Sequence, residues 1–455
     1  MKKEIFILIV IIFIGTFLRF YKLTYHHLWL DEVLTVNHST GNFRTIISEL
    51  KNWASPPLFY FLLNLWMKIF GKTEFVLRLL PAIFGIITIF LVYKVGTKMF
   101  NQNSGLIASF LLAISPFHIV YSQEIRMYSL LSLLCLISTY LLYRAINEDK
   151  ISLWFCYAVI AELTLYTHNW GIFFLIAQNI YIFLFQTKNI KKFAFVQVLI
   201  TLFYLPWVPV VFHQTGNRDI FLYLSRPSIN DIKLTFEAFT GVGFGVGEGD
   251  VRLVQKWRDF ALWMFAFLCI FGIVKEFKKY KKEIILLIFC FLTTLLLAFF
   301  VSLKIPLYKP DKYTIIVFPL FCILIAAGIT NISGLLKLTI ILIITVLSSM
   351  SLFQYYFLIH KSYSKEIAEY IKHNCKNNDI ASALPNFESI AVQYYYDGDI
   401  IKFPEIKEKI KKRLFLISAD CYWRNEIPVY QKELSCLRKT GKKEFGSKSV
   451  IIYRK

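Results

Sequence analysis

IFILIVIIFIGTFLRF (residues 5–20), followed after a short connection by Leu28-Trp29-Leu30-Asp31-Glu32, decides how this chain is read. The first run is apolar enough to enter a bilayer, and it delivers two carboxylates to its far edge. An ionisable group beside hydrocarbon is costly unless hydrated or paired, so such groups persist where they do chemistry or bind ions. Asp31 is the leading candidate for a catalytic base. Glu32 is either a second catalytic carboxylate or a group that orients the backbone beside it.

The composition around that run points the same way. The 455 residues are 56% hydrophobic, include 44 Phe and 26 Tyr, and have a mean hydropathy of +0.54. A soluble domain does not have that balance; a polytopic membrane protein does. The net charge of +21 does not indicate nucleic acid, because the basic residues fall largely in short connections and in the C-terminal tail. There they anchor loops beside anionic lipid.

Apolar stretches of about 17–25 residues, cut at their charged breaks, predict about eleven spans. They are 5–21, 79–98, 104–121, 126–145, 151–167, 170–186, 193–212, 258–275, 283–303, 312–331 and 335–357. The break at Tyr166-Thr167-His168-Asn169-Trp170 separates two of them. Residues 56–70 begin with Pro56-Pro57 and are short, which predicts a re-entrant or interfacial helix. Lys2, Lys3, Lys98, Arg144, Lys150, Lys188, Lys191, Lys192 and the cluster Lys278 to Lys282 place the N-terminus and alternate loops in the cytoplasm. The Asp31 loop, the His168 turn, residues 213–257 and the tail from His360 then lie outside it, although Arg44, Lys51, Lys68 and Lys72 run against the rule. With no small-residue cleavage site before Arg19, the first segment is expected to remain as an anchor.

Residues 1–357 therefore read as a membrane domain and 358–455 as a small soluble α/β domain. The tail has 19 Lys plus Arg against 12 Asp plus Glu, and its strand-like runs are Ile380 to Ala383, Ser389 to Tyr396, Arg413 to Ser418 and Ser449 to Tyr453. A helix over Ser364 to Asn374 precedes them, with Ser364 as its cap and Glu366 near its positive end. Cys421 and Cys436 are candidates for a disulfide if the tail is extracytoplasmic. The glycine-rich run from Gly241 to Gly249 has neither the Lys-Ser/Thr of a phosphate loop nor a strand before it, so it reads as a flexible outer lid.

Several linked motifs, in order, resemble the N-terminal half of membrane glycosyltransferases. They are Leu28 to Glu32, Ser55-Pro56-Pro57-Leu58-Phe59-Tyr60, Phe70 to Leu79, Ser115 to Tyr128 and Leu165 to Gly171, with an echo at Asp311-Lys312-Tyr313 and Pro319. Together they resemble the GT-C superfamily, in the branch with protein O-mannosyltransferases and lipid A aminoarabinose transferases. The resemblance implies an all-α polytopic GT-C fold with outer juxtamembrane helices. It also implies a polyprenyl-phosphate sugar donor and transfer on the outer face.

Physical reasoning fits this. A donor whose isoprenoid tail lies in the bilayer needs a site at the interface, where these polar motifs collect. An acceptor hydroxyl needs a base, here Asp31, and one carboxylate suffices for a single inverting displacement. The departing phosphate needs cations, for which Arg126 and Lys312 are the candidates; the forked guanidinium favours Arg126. Glu124, His168 and Tyr313 are expected to shape the sugar pocket, while the plain structural reading of Glu124 and Arg126 is an ion pair at a helix end. No cofactor is required by the sequence; a divalent metal between a carboxylate and His168 is left open, without HxxxH or DxD spacing. The acceptor is an envelope lipid, a glycan or a protein, and no nucleic-acid partner is expected. The alternative is a lipid-linked glycan flippase without chemistry, but such a carrier would line a path through the bilayer with polar residues. Here the charges gather at one side.

Overall fold

The computed structural model describes residues 2–53, 55–216, 225–242, 256–376, 379–402, 410, 412–419, 434 and 437–454. The chain divides into two compact units. Met1–Leu23, His38–Phe244 and Val251–Gln354 form the first, and the second joins Thr24–Asn37 to Tyr355–Lys455.

In chain order the helices are α1 (Lys2–Phe20), α2 (Leu30–His38), α3 (Phe43–Leu50), α4 (Leu58–Phe70), α5 (Glu74–Met99), α6 (Gln102–Ile114), α7 (Pro116–Ser122), α8 (Tyr128–Glu148), α9 (Ile151–Leu165) and α10 (Trp170–Phe185). They continue with α11 (Ile190–Tyr204), α12 (Val208–Gly216), α13 (Ile229–Thr240), α14 (Arg258–Glu276), α15 (Lys281–Ile288), α16 (Thr294–Ser302), α17 (Phe318–Thr330) and α18 (Gly334–Phe357). Each of the eleven segments read as spans is occupied mainly by helix. By length and apolarity six described helical stretches reach across a membrane, or seven if the bent pair α6–α7 is one span. α9 and α10, at 15 and 16 residues, extend only about 23 Å against a hydrocarbon core of about 30 Å. α4, at 13 residues, is shorter still.

The α6–α7 bend of 62° has a local cause. Ser115 ends α6 and its hydroxyl caps α7 by accepting from the His118 amide at 3.3 Å. Pro116 has no N–H to continue α6, yet suits the first position of α7. The bend brings Gln123 to the end of α1, where its amide donates to the carbonyls of Arg19 and Tyr21 at 2.9 and 3.0 Å. Buried Arg19 locks the same junction, donating to the carbonyls of Ala113 and Leu112 and to His118 Nδ1 at 2.9 Å. α14 crosses α17 backbone to backbone: a Cβ on Gly272 would lie 2.4 Å from the Gly328 nitrogen, and one on Gly328 would lie 2.0 Å from the Leu268 carbonyl oxygen. Small residues at a crossing allow this approach.

In the second unit, helices α19 (Ser364–Asn374) and α20 (Glu388–Gln393) accompany a five-stranded sheet. The strands are β1 (Ile380–Leu384), β2 (Ile400–Ile401), β3 (Arg413–Ala419), β4 (Arg438–Phe445) and β5 (Lys448–Arg454), in the order β2-β1-β3-β5-β4. β1 pairs in parallel with β2 and β3, and β5 runs antiparallel to β3 and β4. Ile367, Ile371, Val392, Phe415, Ile417 and Val450 close the core between the helices and one sheet face.

The α/β reading of the tail is correct, with two corrections. Ser389 to Tyr396 is not a strand; α20 occupies most of it, because Ser389, Ala391 and Val392 bury one helical face. Ser364 does not cap α19; it is the first helical residue, and its amide donates to Ser362 Oγ at 3.2 Å. Cys421, Cys436 and residues 243–249 of the glycine-rich run lie outside the described residues. Gly241 itself ends α13 with φ +71°, the left-handed cap that glycine tolerates best.

Candidate active site

The residues singled out in the sequence fall into both units. Glu124, Arg126, His168, Lys312 and Tyr313 belong to the first, and Asp31 and Glu32 to the second.

In the first unit Arg126, Lys312, His168 and Tyr313 gather at the ring of Tyr128, which is fully buried, and Glu124 faces Lys312. Arg126 lies over that ring with its guanidinium carbon 5.6 Å from the centroid, and Nη2 donates to the Tyr128 hydroxyl at 3.3 Å. Lys312 approaches the same ring, with Nζ 5.2 Å from the centroid. Its side chain is 12% exposed, and Nζ lies 4.0 Å from Oε1 of the fully buried Glu124. The ring of His168 is 6.1 Å from Tyr128 and 4.9 Å from Tyr313. Two cations and a carboxylate around an aromatic platform make a site suited to an anion bearing a polar group.

Local chain geometry explains the convergence. Residues 123–126 are a non-helical bend between α7 and α8, buried except for the half-buried Arg126, so Glu124 and Arg126 are not restricted to one helical face. His168 sits in the turn between α9 and α10, where the Trp170 amide donates to its Nδ1 at 3.1 Å. An accepting Nδ1 leaves the proton of the neutral ring on Nε2. Burial, then the charges of Arg126 and Lys312, pushes the imidazole down to about 3. Lys312 and Tyr313 are placed by a turn pinned from Tyr121, whose hydroxyl donates to the Asp311 carbonyl at 2.6 Å. Leu58, after Pro56-Pro57, donates its amide to the Tyr166 carbonyl at 2.9 Å and ties α4 to the His168 turn.

In the second unit Asp31 and Glu32 open α2. Glu32 is fully buried and accepts from the Trp29 amide at 3.4 Å, the geometry of a side chain reaching back to its helix start. The Thr35 hydroxyl donates to the Asp31 carbonyl at 2.7 Å, and Asp31 is half-buried. Among the described residues no group of three or more His, Cys, Asp or Glu is placed to hold a metal ion.

Three participants were not singled out in the sequence. Tyr128 closed a quoted motif, but nothing marked it as the platform among 26 tyrosines. Trp170 packs against Tyr313, with tilted rings 5.7 Å apart, and donates its indole N–H to the Leu307 carbonyl at 3.1 Å. His38 lies within the field of Arg126: burial lowers its pKa, Glu49 opposes this, and Arg126 lowers it further.

The chain is similar to several known proteins in sequence and fold. Residues 54–213 match the family of dolichyl-phosphate-mannose-protein mannosyltransferases. The structure is similar to ArnT from Cupriavidus metallidurans in its apo state, with a TM-score of 0.66, 12% identity, and coverage of 98% of this chain and 97% of that one. ArnT bound to undecaprenyl phosphate matches over the same shares with a TM-score of 0.63 and 12% identity. The archaeal oligosaccharyltransferase AglB from Archaeoglobus fulgidus, in complex with an inhibitory peptide and a dolichol-phosphate, matches with a TM-score of 0.57 and 11% identity over 95% of this chain and 70% of that one. An uncharacterized protein of Aquifex aeolicus (strain VF5) is 23% identical over 334 residues, 69% of this chain and 62% of the relative's own length. The chain has the GT-C fold that ArnT and AglB share. Within that class its sequence likeness, over residues 54–213, is to the protein mannosyltransferase family.

Proposed function

We propose that the protein transfers a sugar from a polyprenyl-phosphate donor to a hydroxyl acceptor, with inversion, on the extracytoplasmic face of the membrane. The observation that carries this reading is the meeting of Arg126 and Lys312 over the Tyr128 ring. Two cations at one buried aromatic suit the phosphate of a lipid carrier, whose negative charge grows as the glycosidic bond breaks. Glu124, His168 and Tyr313 bind the sugar beside them, the neutral His168 ring offering Nε2–H to a sugar hydroxyl. Asp31 takes the acceptor proton as the acceptor oxygen bonds to the anomeric carbon, and the electron pair of the broken bond leaves with the phosphate.

The donor's isoprenoid tail has a candidate berth in the same unit. A cavity of about 740 Å³ is lined by Ile232 and Phe236 of α13, Trp263 and Ile270 of α14, and Phe321 of α17. α13 connects it to the charged site, because Thr235 hydrogen-bonds Tyr308 at 2.7 Å and the Tyr308 ring packs, tilted, against Trp170 at 5.7 Å. The membrane domain, residues 1–357, carries the donor chemistry in this reading, and the α/β tail from residue 358 lies on the extracytoplasmic side.

Lipid analysis of a strain lacking the gene tests the proposal. Accumulation of a polyprenyl-phosphate sugar, with an envelope component short by one sugar, is expected. Restoration by the wild-type chain but not by Asp31→Asn is also expected. Unchanged lipid carriers and envelope in the deletion strain would refute it.

A further inference from the structure

The stretch that carries Asp31 belongs to the same compact unit as the C-terminal tail, far away in sequence. Its attachments are consecutive. Tyr25 faces His360 with ring centroids 5.8 Å apart, and His26 faces Tyr355 at 4.7 Å. His27 Nε2 is 3.5 Å from Oε1 of Glu366 on α19, and its ring lies 6.0 Å from Tyr395. The Leu28 amide then donates to the Tyr395 hydroxyl at 2.8 Å, across 367 residues of chain. Leu28 is fully buried, so water cannot replace that acceptor.

These contacts end where α2 begins. Glu32, Val33, Thr35 and Val36 are buried at 0–3% exposure, which fixes the helix about its axis. Asp31 itself is half-buried. The His27–Glu366 pair is partly exposed and contributes little energy by itself. The Leu28–Tyr395 hydrogen bond is the anchor, and the aromatic pairs before it set the approach of the chain.

We infer that the C-terminal α/β layer is the positioning device for Asp31, with Tyr395 as the principal positioning residue and Glu366 as the second. The tail holds the start of α2 so that the carboxylate keeps one orientation. This rests on the base role proposed for Asp31, but the clamp can be read without it.

The full-length protein in detergent is compared as wild type, Tyr395→Phe, Glu366→Gln and Lys439→Ser, the last on exposed strand β4. Tyr395→Phe keeps the ring and removes the hydroxyl that accepts from the Leu28 amide. Hydrogen exchange of residues 28–36 should quicken about ten- to hundred-fold, while strand 413–419 stays protected and Lys439→Ser changes nothing. In transfer assays kcat should fall about ten-fold with the donor KM unchanged, because Tyr395 belongs to the unit of Asp31 and the proposed phosphate ligands Arg126 and Lys312 to the other. In an Asp31→Asn background Tyr395→Phe should cost nothing more, since the two act as one unit. If Tyr395→Phe loosens strand 413–419 as well, Glu366→Gln carries the same comparison. Unchanged exchange over 28–36 in both variants would overturn the clamp, and so would independent losses that multiply with Asp31→Asn. If Asp31→Asn alone leaves turnover intact, the base assignment fails, while the exchange result still decides the clamp.

Discussion

Replacing Arg126 with lysine keeps the charge beside Tyr128 but removes the planar fork. The guanidinium donates through Nη2 to the Tyr128 hydroxyl at 3.3 Å, and its planar fork suits a phosphate. Losing one charge-assisted hydrogen bond to the donor costs about 1.5–3 kcal/mol, which is roughly a 10- to 150-fold loss in donor affinity. The fold should change little, because lysine keeps the charge and Lys312 still lies 5.2 Å from that ring; a loss of about 1 kcal/mol of stability or less is expected. The assay titrates purified Arg126→Lys, Glu124→Gln and the double variant with polyprenyl phosphate, and measures melting and turnover on the same samples. Weaker donor binding with a nearly unchanged melting temperature is the expected result. Unchanged affinity and turnover with a lowered melting temperature would refute the phosphate role. Arg126 would then be a strut, and Lys312 the principal phosphate ligand.

Asp31→Asn should lower turnover by about two to four orders of magnitude with donor affinity retained, measured by transfer rate and lipid titration side by side; near wild-type turnover would remove Asp31 as the base. His168 is held neutral, down to about 3, by burial and two nearby cations. Below about pH 6.5 the unfolded chain therefore binds a proton that the folded chain refuses, so stability falls as pH drops from about 6.5 toward 3. His168→Asn, which keeps an acceptor for the Trp170 amide, should flatten the melting temperature's dependence on pH over that window. Gly328→Ala must move α14 off α17, because the new methyl would sit 2.0 Å from the Leu268 carbonyl oxygen; a drop in melting temperature of several degrees is expected, with donor affinity at the Tyr128 site less affected. Impermeant cysteine labelling should mark the tail in intact cells, and labelling only after permeabilisation would invert the proposed topology.

The helical framework was legible because a bilayer imposes a length on apolar segments, and breaks such as Tyr166–Asn169 interrupt that length visibly. The charged site was legible as motifs, since Glu124, Arg126 and Lys312 stand out against apolar neighbours. Tyr128 did not stand out, because a buried tyrosine acquires meaning only when cations from distant segments arrive over its ring. Strand β4, RKTGKKEF, carries no alternating apolar signal; it pairs only with β5, and its lysines suit an exposed sheet edge. α20 was misread because six residues are too few to display a helical period, and Val392 with the tyrosines after it suggests a strand. The grouping of residues 24–37 with the tail depends on a hydrogen bond spanning 367 positions, which no local pattern encodes.

That span has a consequence for biosynthesis. At about 5–20 residues per second, Tyr395 leaves the ribosome roughly 20–70 s after Leu28. Throughout that interval the amide of Leu28 has no native acceptor, and the first acidic helix waits at the membrane for the last domain to be made. A chain stopped before residue 395 could insert its helices and still lack the contact that completes its first loop. Completion of synthesis thereby becomes a condition for the finished arrangement of α2.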